Sequence, residues 1–340
     1  MLGLLPLGLA GLGLAVLGFR LGPEWYRAIA APPESGLGGP SPELTPVGNF
    51  YVVSKNFSDP AVSAQGWTLS VQGLVDAPYR LAYSELRALP STTEDVTLEC
   101  VSNNVGGPLM STGRFTGVAL RELLATASPR PEAAAVVFHA RDGYTESLPL
   151  ELVLTHPEIL VVYDLDGAPL ASAHGHPARV LIPGRYGMKG PKWLDSIELA
   201  KSEPNGYWEG QGWDRQAIVK TTSRFDVPIA GAVLTRGPIP LAGVAYAGER
   251  GISAVEYSTD GGRSWSPVEL KPPLSTLTWV LWTATWTPSR EGAYTLQVRA
   301  RDGRGGLQDS RQAPSFPSGA SGYHTIFVNV GSLGRAALRP

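Results

Sequence analysis

The sequence predicts an α+β chain of two domains, a mixed α+β body followed by an all-β sandwich. Three observations carry this. The chain has 340 residues, enough for two domains at roughly 100–200 residues each. It holds 40 Gly and 30 Pro, which favour a turn-rich, strand-rich fold over a helical bundle. Helix and strand signals mix up to about residue 222, and beyond it only strand signals remain.

The N-terminal element is apolar. Residues 2–19 carry no charge, barely enough for a bilayer-spanning helix of about 20 residues. Pro6 and several glycines weaken it as a soluble helix but are tolerated in a membrane. A membrane anchor, a cleaved signal peptide and a buried segment compete for residues 1–21. The anchor is preferred, because a basic start and a small-x-small cleavage site are missing. Arg20, Glu24 and Arg27 follow, so charge alone leans towards a cytoplasmic C-terminal side. Residues 22–47 read as a Pro/Gly-rich linker.

The first folded domain is expected over 48–222. Trp67, Leu69 and Val71 alternate with polar residues as on a half-buried strand, which Asp76-Ala-Pro78 ends. Ser84 is expected to cap a short helix carrying Leu86 and Leu89. Val96, Leu98 and Cys100 share one strand face, so Cys100 projects inward where the run VSNNVGG begins. Thr116 is expected to cap a helix of Leu120, Leu123 and Leu124. Strands follow near 135–139, 159–163, 178–182 and 194–200, with a short helix near 149–155 and a hairpin turn at Asp166-Gly167.

The second domain is expected over 223–332, with a tail at 333–340. Strand signals at 254–258, 265–270, 279–286, 293–300 and 324–330 are separated by Asp-Gly and Pro turns. Their number and spacing fit an immunoglobulin-like sandwich. The run from Ser258 to Trp265 reads as a stable turn, because the acidic ligands of a calcium loop are missing.

Composition narrows the function. With 17% charged residues, nine Trp and twelve Tyr, the chain is not a disordered one. A net charge of −2 with no basic stripe excludes a nucleic-acid partner. The single cysteine excludes an intrachain disulfide, a multi-thiolate zinc site, a Cys-x-x-Cys-His haem motif and an iron–sulfur cluster.

Three features remain as candidate chemistry. Cys100 fits a buried small hydrophobe, a nucleophile with a His base, or a thiolate ligand to a soft transition metal. His174 and His176 are two residues apart. Arg185, Lys189 and Lys192 lie among glycines in a loop suited to an anionic phosphate.

Taken in order and spacing, these pieces resemble the sulfite oxidase family of molybdenum enzymes. The resemblance rests on TLECVSN at 97–103, HGHPARVLIPGRYGMKGPKW at 174–193 and VEYSTDGGRSW at 255–265, and runs from about Asn49 to Tyr323. It implies a molybdopterin-binding domain followed by an immunoglobulin-like domain of dimerisation type. It implies one Mo-molybdopterin per chain, with Cys100 as the metal ligand. The cofactor contacts implied are Asn49, Tyr51, Val52, Asp142, His174, Arg179, Gly190, Pro191 and Lys192. Cys100, Tyr186 and Lys189 are the implied catalytic set.

The family's sulfite-binding cations are absent: Val53, Lys55 and Asn104 stand at their places. Lys55, Arg114, Arg185 and Lys189 are the candidate replacements. The expected function is oxygen-atom transfer to or from a small oxyanion, or alternatively reduction of methionine sulfoxide or another S- or N-oxide. A catalytically inactive binding or assembly module is the rival of another class. With no haem or cluster motif, electrons are expected to pass through a separate redox partner, a cytochrome or membrane carrier. The family places anchored members on the extracytoplasmic face, and a homodimer through the C-terminal domain is expected.

Overall fold

The structure, a computed structural model, describes residues 39–331. The apolar segment, most of the linker and the tail expected at 333–340 lie outside the described residues. Among the described residues no helix is long and apolar enough to cross a membrane.

Ten strands build the first domain: β1 (Thr68–Gly73), β2 (Tyr79–Ala82), β3 (Thr92–Glu99), β4 (Met110–Ala119), β5 (Ala135–Ala140), β6 (Thr145–Pro149), β7 (Leu160–Leu165), β8 (Ala168–Pro169), β9 (Arg179–Leu181) and β10 (Leu194–Ala200). One sheet has the order β2-β1-β10-β5-β6. The other runs β3-β4-β7-β8, with β9 joined to β7. Among the described residues three short α-helices are present, α1 (Tyr83–Ala88), α2 (Leu120–Ala127) and α3 (Leu150–Thr155). The domain is therefore dominated by sheet.

Its main core lies between the sheets. Leu69 and Val71 of β1, Phe138 of β5 and Ile197 of β10 meet Val161 of β7 and Val180 of β9, with Leu123 of α2 packed among them. A second core on the far face of β7 gathers Val96, Leu98, Phe115, Val162 and Leu181. All six residues of β7 are buried, as expected of a strand covered on both faces.

Two capping expectations need correction. Ser84 lies inside the first turn of α1. The cap position is Ala82, whose N–H donates to the Glu85 carboxylate at 2.7 Å. Thr116 stays on β4, with its hydroxyl 2.8 Å from that of Thr93, and α2 begins only after Ala119. Strand pairing along β4 holds Thr116 extended, and that outweighs its local preference for a cap.

The second domain has nine strands: β11 (Thr222–Val227), β12 (Val233–Leu234), β13 (Ile239–Tyr246), β14 (Ile252–Ser258), β15 (Ser266–Pro267), β16 (Glu269–Leu270), β17 (Val280–Trp286), β18 (Gly292–Asp302) and β19 (His324–Val330). They form two sheets, β11-β13-β17-β16 and β12-β19-β18-β14-β15. Leu241 and Trp282 from one face Leu296, Val298, Ile326 and Val328 from the other, which is a β-sandwich core. In the turn after β14, Asp260 accepts the N–H groups of Arg263 and Ser264 and the Ser264 hydroxyl.

The domains share a core. Val101, Met110, Tyr186 and Met188 pack with Val244, Tyr246 and Trp279 of the sandwich. Residues 41–47, read as the end of the linker, are docked rather than free. The Ser41 N–H donates to Asp226 Oδ2, the Thr45 N–H to the Thr112 carbonyl, and the Trp279 indole to the Glu43 carbonyl.

Candidate active site

Cys100 follows the last residue of β3, where pairing with β4 ends. Its N–H donates to the Leu109 carbonyl at 3.0 Å, and its Sγ lies 3.0 Å from Ser102 Oγ. Asn103 closes the loop that follows. It accepts the Leu109 N–H on Oδ1 and donates from Nδ2 to Glu99 Oε1. A Cβ on Gly107 would fall 2.4 Å from Asn103 Oδ1, so only glycine lets the loop pass this close.

The thiol is 7% exposed and lines a cleft with about 870 Å³ of empty space, part of it open to solvent. The same cleft brings together Tyr51, Val52, Lys55, Asp142, His174, Arg179, Gly190, Pro191 and Lys192. With Cys100 they come from five separate chain segments. Phe50, next to Tyr51, sets its ring 5.4 Å from that of His174 and locks both segments together.

The electrostatics at this end are unusual for a protein interior. Arg179, on β9, is buried, and its two identified bonds run to main-chain carbonyls, His174 at 3.5 Å and Gly190 at 3.2 Å. Its Nε–H has no hydrogen-bond partner among the described residues. Burial holds its pKa below the usual guanidinium value. Burial, with Arg179 nearby, also pushes His174 down to about 4, so its imidazole is neutral at pH 7. Burial is again the largest cause for Lys192, which is pushed down to about 8. Its Nζ donates to the Ala173 carbonyl at 2.9 Å and stands 3.9 Å from Asp59.

A buried guanidinium with an unsatisfied donor is costly, because the carbonyls around it return only part of its lost hydration. An anion beside Arg179 and Lys192 removes that cost. Gly190 keeps the wall open there, since a Cβ would fall 2.6 Å from the Val180 carbonyl. At the Cys100 end the donor is a soft sulfur, suited to a soft transition metal. The residues present therefore fit a group with an anionic tail and a metal head.

Several expected residues lie elsewhere. Asn49 is exposed and does not line the cleft. Tyr186 sits in the interdomain core, its hydroxyl accepting the Lys220 N–H. Lys189 is 1% exposed, held by Glu146 at 2.6 Å and Glu209 at 2.5 Å. His176 is outside the cleft, with its ring 5.8 Å from that of Tyr83. Arg114 is exposed and bonded to Asp95, and Arg185 donates to the Gln216 carbonyl.

Of the four candidate substrate cations, only Lys55 reaches the cleft. Its ammonium donates to the Asp142 carbonyl at 2.8 Å and lies 3.6 Å from Asp142 Oδ2.

Sequence reasoning missed the aromatic wall. Tyr144, Trp193, Trp208 and Trp213 all line the cleft, and Trp208 and Trp213 pack towards Val101 and Met188. The signal was present in the run YWEGQGW at 207–213, but nothing in its spacing said which side of the fold it faced.

Comparison with known proteins agrees with this geometry. Residues 56–208 match the model of the oxidoreductase molybdopterin binding domain. The chain is 28% identical over 285 residues to a sulfite oxidase of Arabidopsis thaliana, covering 69% of this chain and 72% of that protein. It is 32% identical over 159 residues to an uncharacterized oxidoreductase of Bacillus subtilis, covering 47% of this chain and 78% of that one. The sulfane dehydrogenase SoxCD of Paracoccus pantotrophus has the same fold, with a TM-score of 0.75 at 21% identity, over 84% of this chain and 81% of that chain. Sheet architecture, cleft and sequence agree, and the chain belongs to the molybdopterin-binding oxidoreductases of the sulfite oxidase family.

Proposed function

We propose that Cys100 ligates the molybdenum of the molybdopterin and that Arg179 and Lys192 hold its phosphate. His174 adds a neutral imidazole beside the pterin, Tyr51 and Val52 line its path, and Gly190-Pro191 let the backbone approach it. The cofactor, when bound, supplies two-electron oxygen-atom transfer between water and a substrate. The chain supplies ligation, counter-charge and a partly closed cleft. The observation that carries this reading is the pairing, in one cleft, of a thiol with a buried guanidinium that has an unmet donor.

The substrate class follows from where the cations are. Arg179 and Lys192 serve the cofactor, and Lys55 is already offset by Asp142. The remaining wall holds Met188, Trp208 and Trp213 together with the neutral phenols of Tyr51 and Tyr144. This favours a neutral S- or N-oxide, or its reduced thioether or amine, as a second reading beside sulfite-type oxyanions. Bidentate anion recognition by arginine has no counterpart on that wall.

Electrons pass to or from a separate cytochrome or membrane carrier. The sandwich, immunoglobulin-like in type, pairs two copies of the chain. Exposed Ile229, Val233 and Phe327, on neighbouring segments of the sandwich, support that pairing. The N-terminal apolar segment anchors the protein at the extracytoplasmic face.

Protein made in a molybdopterin-competent host is expected to carry about one molybdenum per chain, by elemental analysis. Zinc or no metal overturns the reading. The Cys100→Ser variant is expected to lose turnover with its melting curve unchanged, and retained turnover removes Cys100 from the metal. Reduction of the metal signal by sulfite, or its reoxidation by a sulfoxide, decides the direction.

A further inference from the structure

Lys189, Glu146 and Glu209 form a fully buried group of one cation and two carboxylates, with side chains 1%, 0% and 2% exposed. Every member comes from a different element. Glu146 is on β6, Lys189 ends the 3-10 turn Gly187–Lys189, and Glu209 opens the 3-10 turn Glu209–Gln211. None of the three lines the cleft, yet each stands beside a residue that does. Tyr144 precedes Glu146 by two, Met188 and Gly190 flank Lys189, and Trp208 precedes Glu209.

The bonds around the group tie the same elements again. The Tyr144 hydroxyl donates to the Met188 carbonyl at 2.5 Å. Glu209 Oε2 accepts the Gly206 N–H at 3.1 Å, and Glu146 Oε1 accepts the Ser147 N–H at 2.8 Å. A Cβ on Gly206 would fall 2.6 Å from Glu146 Oε1, so the carboxylate lies against the backbone that leads to Trp208.

A buried charge group of this kind is a poor source of stability, even with Arg215 Nε 3.8 Å from Glu209 Oε2 at its rim. What it provides is a fixed meeting point. Lys189 has its donors committed to two elements at once, so neither can move from the other without leaving a charge unpaired in the interior.

We propose that Lys189, Glu146 and Glu209 are positioning residues: a buried clamp that sets the aromatic wall of Tyr144 and Trp208 against the 187–190 turn. Lys189 thus acts on the cleft only through its neighbours, without touching substrate. The clamp stands on these contacts alone. It rests on the proposed function only in naming the cleft as the cofactor's.

Lys189→Met strands two carboxylates in the interior and is a poor test. Glu209→Ala and Glu209→Gln separate the cases, because glutamine keeps an oxygen to accept from Lys189. Amide hydrogen exchange by mass spectrometry on the full chain is the readout, with molybdenum content measured alongside. In Glu209→Ala, exchange is expected to rise about tenfold in peptides spanning 187–190 and 206–213, and to stay at the wild-type level in β1 and β10. Glu209→Gln keeps an acceptor for Lys189 but none for the Gly206 N–H, so it is expected to restore wild-type protection at 187–190 and only part of it at 206–213. Unchanged exchange in the two segments, an equal rise throughout the chain, or failure of glutamine to rescue 187–190 overturns the clamp. Wild-type protein without molybdenum overturns the proposed function instead, and the exchange pattern still decides the clamp.

Discussion

At the scale of single residues, burial governs protonation. His174 is neutral down to about pH 4, whereas an imidazole in the unfolded chain takes its proton near 6.5. His324, half-buried with Arg224 nearby, is likewise pushed down to about 4, mainly by desolvation. Unfolding therefore takes up protons at these sites between pH 6.5 and 4, and stability falls as pH drops through that window, by up to about 3 kcal/mol for each. Glu99 has the opposite sign. Burial is the largest cause that pushes its carboxyl up to about 7, against the ordinary 4.5, and Asn103 and Arg224 only partly oppose it. The native state holds that proton below about pH 7 and the unfolded state does not, so Glu99 adds stability as pH falls from 7 towards 4.5. Glu99→Gln removes this opposing contribution. The variant is expected to melt higher than wild type at pH 8 and to lose melting temperature more steeply between pH 6.5 and 4.5. Calorimetry across that range checks it, and parallel curves for the two proteins contradict it.

Residue chemistry was also the most legible part of the sequence. Strand alternation alone turned Cys100 inward, and the family resemblance gathered His174, Arg179 and Lys192 with it. Lys189 misled because a lysine in a glycine-rich loop looks like a phosphate ligand. Its two carboxylate partners are 43 and 20 positions away, and no local pattern announces them.

At the scale of elements, the decisive feature is the loop that follows β3. Thr97 and Glu99 alternate with Val96, Leu98 and Cys100, and on a half-buried strand such polar positions face solvent. Both are buried, because β3 is covered on that face by the sandwich. The Tyr246 hydroxyl donates to the Thr97 carbonyl, and the Trp279 N–H donates to Thr97 Oγ1. The alternation was legible, but the second layer behind it was not, since it comes from residues about 150 positions later.

Arg224 fastens the same loop from the sandwich side. It donates to the Gly107 carbonyl at 2.9 Å, to Ser41 Oγ at 3.1 Å and to Asp226 Oδ1 at 2.9 Å. Arg224→Met leaves Asp226 buried without its cation, at an expected cost of about 3–5 kcal/mol. Double replacement by Met at 224 and Asn at 226 removes both charges and should recover part of that loss. Urea unfolding of the two variants measures the difference, and equal midpoints would show that the pair is not coupled.

At the scale of the whole molecule, the two domains do not behave as separable beads. The cluster of Val101, Met110, Tyr186 and Met188 with Val244, Tyr246 and Trp279 closes the back of the Cys100 end. The segment at 41–47 straps across both domains. A fragment ending at residue 222 would expose that apolar face and the polar face of β3 together. We expect it to be insoluble or to retain less than a tenth of the full chain's molybdenum, measured after co-expression in the same host. A soluble, fully loaded fragment would mean that the sandwich is dispensable for the site. A domain division near residue 222 was expected from the change in strand signals. The shared core was not legible, because its members are spread from Val101 to Trp279 with no common period.

The sole cysteine of the chain has one practical consequence. Every sulfhydryl reagent that alkylates this polypeptide on sulfur at a cysteine marks one position. Under the proposed ligation, metal on Cys100 shields that sulfur in the native protein, and an unloaded chain leaves it able to react. Alkylation under native conditions, read on the Cys100 peptide by mass spectrometry, thus counts empty sites, and preparations can be graded for loading before any substrate is known.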